Sequence, residues 1–144
     1  MRSAIFLMIL TAISPFASAA SFDGCFEQAA VYHYVNPRIL RAIARVESGF
    51  NPGIIHRNAN GTVDVGIMQI NSSWYRTLGA YGIRPAHLLD PCVNIFVGAW
   101  ILSGDIREYG NTWRAIGKYN AAGDRAGAVY AQKIYRAVLK ENVQ

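Results

Sequence analysis

Glu47 stands where a carboxyl can act as an acid. It lies near the end of Pro37–Ser48, a run reading Pro-Arg-Ile-Leu-Arg-Ala-Ile-Ala-Arg-Val-Glu-Ser. At about 100° per residue, Ile39, Leu40, Ala42, Ile43, Ala44 and Val46 form one broad apolar arc, with Arg38, Arg41 and Arg45 opposite. Glu47 falls within the apolar arc. A helix that sends its arginines to water and its only carboxylate toward the apolar side desolvates that carboxylate. Desolvation raises a carboxyl pKa, which makes it a proton donor near neutral pH. The plainer alternative is a Glu47 that swings out to water or pairs with an arginine of another segment, since structural ion pairs perturb pKa values too.

The other carboxyls offer Glu47 little company. Asp23, Asp90 and Asp124 read as helix caps, and Asp105 and Glu108 fall on the polar end of a helix. Glu27 belongs to a half-exposed first helix and Glu141 to a chain end. Asp64 is the one further candidate, with a hydrogen-bonding role inside a hairpin as its alternative. Glycosidases ordinarily need two carboxyls. One suffices when the substrate brings its own nucleophile, as a sugar with an N-acetyl group and a free 6-hydroxyl can. No metal site is expected. His33, His56 and His87 are scattered, and no C-x-x-C or H-x-x-x-H spacing occurs. Nothing in the sequence asks for a cofactor.

The elements that must position Glu47 carry clear punctuation. Asn36-Pro37 is a cap followed by proline at the first helical position, and Ser48-Gly49 is the matching stop. Before it, Asp23 is expected to cap a helix of about Cys25–Tyr34. After it, Asn51 to Asn71 holds an Asn-Gly and a β-branched run, which suggests a small irregular hairpin or three short strands. Ser72 or Ser73 starts a short helix through Leu78. Asp90-Pro91 opens a long helix, apolar on most sides and therefore central, that ends near Gly110. Thr112–Tyr119 reads as a short helix. A last helix runs from about Asp124 to Lys140, with Ala128, Ala131, Ile134, Tyr135, Val138 and Leu139 inward. The expected fold is mainly α, an α+β single domain with one small β element after the Glu47 helix.

The 144 residues exceed that domain. Arg2, the apolar stretch Ala4 to Ile13 and the small-residue site Ala17-Ser18-Ala19 read as a secretory leader over residues 1–19. Cleavage after Ala20 is the alternative. A membrane span needs roughly twenty apolar residues, and Pro15 interrupts this stretch; stable membrane insertion is not expected. The domain then covers residues 20–144. An exported chain with one cysteine pair, Cys25 and Cys92, reads as carrying one disulfide, two buried free thiols being the alternative. Of 14 basic residues the leader takes Arg2, which leaves 13 against 9 acidic ones. That excess suits a polyanionic partner such as cell wall, membrane surface or nucleic acid. No basic cluster with interleaved aromatics appears, so nucleic acid is not favoured.

Three segments, taken in order, make the reading specific. Glu47-Ser48, then Gly66-Ile67-Met68-Gln69-Ile70-Asn71, then Tyr119-Asn120-Ala121-Ala122-Gly123 resemble the signatures of lytic transglycosylases of the soluble-transglycosylase family. These are bacterial enzymes with a lysozyme-like fold. The resemblance covers about Cys25 to Leu139. The paired cysteines resemble the small specialised branch that accompanies conjugation, pilus and type III secretion machines.

The resemblance implies peptidoglycan as substrate, a periplasmic location and, as further partners, components of such a machine; a monomer is expected. It implies Glu47 as sole acid and then base, acting between N-acetylmuramic acid and N-acetylglucosamine to leave a 1,6-anhydro product. Ser48 would fix the helix end. Met68 and Gln69 would line the sugar site. Tyr119 would reach the Glu47 carboxyl or the substrate, and Asn120 would hold that loop or a sugar. Two departures stand out. His56 occupies the position nine residues after the glutamate, where many members have serine, and is either a supporting partner of the site or solvent-facing. Lys118 replaces the usual alanine before Tyr119-Asn120, as a muropeptide contact or a solvated helix-end lysine. A hydrolytic muramidase of the same fold and a non-catalytic glycan-binding assembly protein are the competing readings.

Overall fold

The computed structural model describes residues 22–121 and 123–141. The expected leader at residues 1–19 lies outside them. The architecture is α+β and mostly helical. Helices α1 (Asp23–His33) and α2 (Pro37–Ser48) come first. Strands β1 (Ile55–Arg57), β2 (Val63–Val65) and β3 (Ile70–Asn71) follow, then a 3₁₀ turn over Ser72–Trp74 and α3 (Tyr75–Ala80). A second 3₁₀ segment, Pro85–Leu89, leads into α4 (Pro91–Tyr109), α5 (Trp113–Lys118) and α6 (Asp124–Glu141). No helix among the described residues is long and apolar enough to cross a membrane.

The punctuation around α2 works as its chemistry requires. The Asn36 side chain accepts the Arg38 N–H, Pro37 opens the helix, and Gly49 takes the left-handed conformation (φ 60°) that ends it. Asp90 likewise caps α4 by accepting the Val93 N–H at 2.9 Å. Asp23 does not behave as expected: it is the first residue of α1 and no side chain caps that helix. Its carboxylate instead accepts a hydrogen bond from Arg41 Nε at 3.1 Å, and Glu27 takes Arg41 Nη2 at 2.9 Å. Arg41 is thus drawn out of the expected solvent arc. Its side chain is 19% exposed and ties α2 to α1, with the guanidinium 5.6 Å from the Phe26 ring centroid.

Helix α4 is the central element, with Ile95, Val97, Ala99, Ile101 and Leu102 buried. The Cys25–Cys92 disulfide joins the start of α4 to α1, with Cα atoms 5.3 Å apart and a sequence separation of 67. The three strands form one antiparallel sheet in the order β1-β2-β3, pairing His56 with Asp64 and Asp64 with Asn71. Asn94, fully buried on α4, holds this sheet in place. Its Nδ2 donates to Val65 O at 2.8 Å and to Leu88 O at 2.9 Å, and its Oδ1 accepts the Met68 N–H at 2.8 Å. Gly66 completes the joint: at φ +80° it sits so close that a Cβ would lie 2.7 Å from Leu88 O.

The inward face of α6 keeps Ala131, Ile134 and Val138 of the expected set and loses the other three. Tyr130, Ala131, Ile134 and Ala137 are buried, whereas Ala128, Tyr135 and Leu139 are exposed. Backbone contact sets this phase. A Cβ on Gly117 of α5 would lie 2.6 Å from Gly127 O, so α6 must present Gly127 to α5. The residues at helical spacing from it, Tyr130, Ala131 and Ile134, then follow inward.

Candidate active site

Glu47 occupies the last turn of α2, where α6 and the loop after α5 close over it. The Tyr130 hydroxyl donates to Glu47 Oε1 at 2.5 Å. Asn120 Nδ2 donates to the same oxygen at 3.3 Å. Burial pushes the Glu47 carboxyl above its ordinary pKa. The Tyr130 and Asn120 hydrogen bonds oppose that, the charge of Asp64 adds to it, and Lys133 opposes it. Desolvation, a positioning phenol and a facing carboxylate therefore act on one acid.

Glu47 opens into a cleft of about 800 Å³ between the sheet, α4 and the end of α5. That volume lies within the roughly 300–1,000 Å³ typical of ligand sites. The walls are amides and hydroxyls, including Asn58, Asn60, Thr62, Asn71 and Ser73, with Trp74 and Ile101 as apolar surface. Such a lining suits an extended, uncharged, hydroxyl-rich ligand. Two other grooves lie away from Glu47. One runs along α5 and α6 beside Trp113 and Tyr135; the other is apolar, beside Tyr32, Leu78 and Phe96.

The expected site residues divide. Gln69, Asp64 and Asn120 border the cleft with Glu47. Gln69 sits at φ 51°, and its Nε2 donates to Gly66 O at 2.9 Å. Asp64 is held within the sheet, its two oxygens accepting from Asn58 Nδ2 at 2.8 Å and Asn71 Nδ2 at 2.6 Å. Ser48 does not line the cleft. Its Oγ lies 2.7 Å from Ile67 O and 3.1 Å from Ala44 O, which pins the end of α2 to the turn between β2 and β3. Met68 is fully buried, its side chain packed where a Cβ on Gly98 would lie 2.9 Å from Met68 Cε. It meets the site only through its carbonyl. His56 is exposed on β1, away from the cleft lining. Lys118 borders the cleft, but its Nζ pairs with Asp124 at 2.9 Å and its side chain is only 14% exposed, so it is not a solvated lysine.

Tyr119 borders the cleft, but of its two expected contacts the one to Glu47 is corrected. Its hydroxyl donates to Met68 O at 2.9 Å rather than to Glu47. Burial first, then the charges of Glu47, Asp105 and Asp64, push its pKa well above the ordinary tyrosine value. It is a neutral strut between the Tyr-Asn segment and the Met-Gln turn. The phenol on Glu47 is Tyr130, which the sequence reading missed. The signal was there: Tyr130 lies three residues after Gly127 and four before Ile134. Asp105 does fall near the polar end of α4, and it also borders the cleft.

A desolvated carboxyl at the end of a helix, facing a small sheet across a polar cleft in an α+β domain, defines a lysozyme-like protein. The model of the family described as "Transglycosylase SLT domain" matches residues 24–137, and the chain belongs to that family. It is 44% identical over 98 residues to Invasion protein IagB of Salmonella typhimurium, a match covering 67% of this chain and 61% of that relative. The chain thus spans about three fifths of IagB. Protein IpgF of Shigella flexneri is 34% identical over 140 residues, 94% of this chain and 90% of IpgF. X polypeptide of Escherichia coli strain K12 is 35% identical over 119 residues, 78% of this chain and 70% of the relative.

Proposed function

We propose that this chain is a peptidoglycan lytic transglycosylase in which Glu47 is the single acid and base. Glu47 donates its proton to the glycosidic oxygen between N-acetylmuramic acid and N-acetylglucosamine, and the bond from muramyl C1 to that oxygen breaks. The resulting carboxylate accepts the proton of the muramyl 6-hydroxyl. The 6-oxygen attacks C1 and closes a 1,6-anhydro ring. The proton returns to Glu47, so no water is consumed.

The observation that carries this reading is the Glu47 carboxyl, raised by burial and held by Tyr130 at 2.5 Å on an open polar cleft. Asp64 is a poor water-activating base, because amide donors already occupy both its oxygens. The hydrogen bonds from Tyr130 and Asn120 favour the carboxylate once the proton has left. They keep the second half of the reaction within reach.

The chain is read as exported to the periplasm. Its disulfide suits an oxidising compartment, and the leader reading of residues 1–19 supports the same place. We assign it to local opening of the wall for a secretion, pilus or conjugation apparatus. The name of its relative, an invasion protein, is in keeping with that assignment. The test is digestion of purified sacculi followed by mass spectrometry. Anhydro-muropeptides are expected from the parent and none from Glu47→Gln. Reducing-end products alone would establish a hydrolytic muramidase, and release by Glu47→Gln at the parent rate would leave Glu47 without a catalytic role.

A further inference from the structure

Asp105 borders the cleft, and the proposed reaction gives it no role. It lies on α4 one turn after Ile101, which also borders the cleft. Its Oδ2 is buried and has no hydrogen-bond partner among the described residues. Two residues electrostatically coupled to it hold bonds of their own. The Tyr119 hydroxyl donates to Met68 O, and Lys118 Nζ pairs with Asp124. A buried polar atom left unpaired costs about 1–3 kcal/mol and calls for a reason. Asp105 shares the cleft with the acid. The charge of Asp64 raises the Glu47 pKa, and the charges of Glu47, Asp105 and Asp64 all raise that of Tyr119.

We propose that Asp105 is a glycan-holding residue of the cleft, its carboxylate accepting a hydroxyl or acetamido N–H from a sugar ring bound on the α4 side of the ring at Glu47. The carboxyl torsion is broad and roughly two-fold, so either oxygen can turn to the ligand. A carboxylate acceptor makes a charge-assisted bond, about twice as strong as a neutral one. Burial, reinforced by Glu108 on the same helix and opposed by Lys118 on α5, pushes this carboxyl up to about 6. Glycan binding therefore tightens as the pH rises through that value. The other group facing it, Tyr119, stays neutral throughout.

This proposal rests on the glycan reading of the cleft. The two are tested separately. Binding of a β-1,4-linked N-acetylglucosamine tetramer is measured by calorimetry in the Glu47→Gln background, which removes turnover and the titration of Glu47. Adding Asp105→Ala is expected to weaken binding about tenfold. Adding Asp105→Asn, which keeps an acceptor, weakens it only a few-fold and abolishes the pH dependence near 6. Melting temperatures should hold or rise, since each change removes the unpartnered carboxylate. Equal affinity in all three proteins, or a lowered melting temperature with unchanged affinity, overturns the role of Asp105. If the parent still digests sacculi in that case, the transglycosylase reading stands alone. Failure of the tetramer to bind the Glu47→Gln protein at all overturns the Asp105 role together with the glycan reading. Normal binding with an inactive parent removes only the activity.

Discussion

Replacing Asn94 with leucine tests whether one buried amide holds the sheet to the helical body. Leucine shares the branched shape of asparagine but is bulkier and makes no hydrogen bond. The change strands three backbone groups, the Met68 N–H and the carbonyls of Val65 and Leu88, all served by Asn94 at 2.8–2.9 Å. Asn94 is fully buried, so water does not replace it without local opening. At about 1–3 kcal/mol for each stranded group, and with some backbone relaxation, the loss should be about 3–5 kcal/mol. That sits at the severe end for one substitution. For a domain of this size it lowers the midpoint by roughly 10–20 °C. Urea unfolding followed by circular dichroism measures the loss directly. Asn94→Asp gives a second reading with a definite sign. An ionised carboxyl facing two carbonyls is unfavourable, so its pKa in the folded state rises above the unfolded value. The variant should lie closest to the parent below the unfolded pKa, about 4, and lose stability as the pH rises through the folded value. A loss below about 1 kcal/mol for Asn94→Leu, with activity intact, would refute the view that Asn94 anchors the Met68–Gln69 turn.

Other expectations concern the acid and the scaffold. Glu47→Gln should lower anhydro-muropeptide release by about a hundredfold or more, the usual scale of general acid–base catalysis, with the fold unchanged by circular dichroism. Tyr130→Phe removes a hydrogen bond that favours the Glu47 carboxylate, so the Glu47 pKa rises further and the alkaline limb of the pH–rate profile moves to higher pH. A limb that stays or moves down would count against the Tyr130 contact. Tyr119→Phe removes the bond to Met68 O instead; it should cost about 1–2 kcal/mol of stability and leave that limb in place. Reducing the Cys25–Cys92 bridge, which closes 67 residues of sequence separation, should destabilise by about 4 kcal/mol on the chain-entropy account, read as a lowered urea midpoint in reductant.

What was legible in the sequence was what local chemistry decides. Asn36-Pro37 and Gly49 set the ends of α2 to the residue, because a cap, a fixed φ and a left-handed glycine act within one turn. The Asp90-Pro91 start of α4 was equally plain. The errors came where a distant partner outweighs the local preference. Asp23 gives up a capping role for Arg41, eighteen residues away. The phase of α6 follows from backbone contact between Gly117 and Gly127, which no hydrophobic periodicity registers because glycine contributes no apolar side chain. That error hid Tyr130, the phenol that bonds Glu47. The Tyr-Asn motif is close to the acid, but its tyrosine supports the opposite wall.

Helix α4 shows how a polar stripe can pass unseen inside an apolar element. Asn94, Gly98, Ile101 and Asp105 recur at intervals of four, three and four residues, one face of a helix followed over about three turns. Each meets the sheet or the cleft. Asn94 grips the β2–β3 turn, Gly98 admits the Met68 side chain, and Ile101 and Asp105 form cleft wall. Averaged over nineteen residues the helix reads as apolar on most sides, which is correct for its burial and uninformative about its function. Read by face, it carries one residue that fixes the wall opposite Glu47 and another whose carboxyl the fold leaves unsatisfied. The first spends its hydrogen bonds on structure, and its loss should unfold the site. The second keeps one carboxylate oxygen without a partner among the described residues, and its loss should be felt chiefly when a glycan binds.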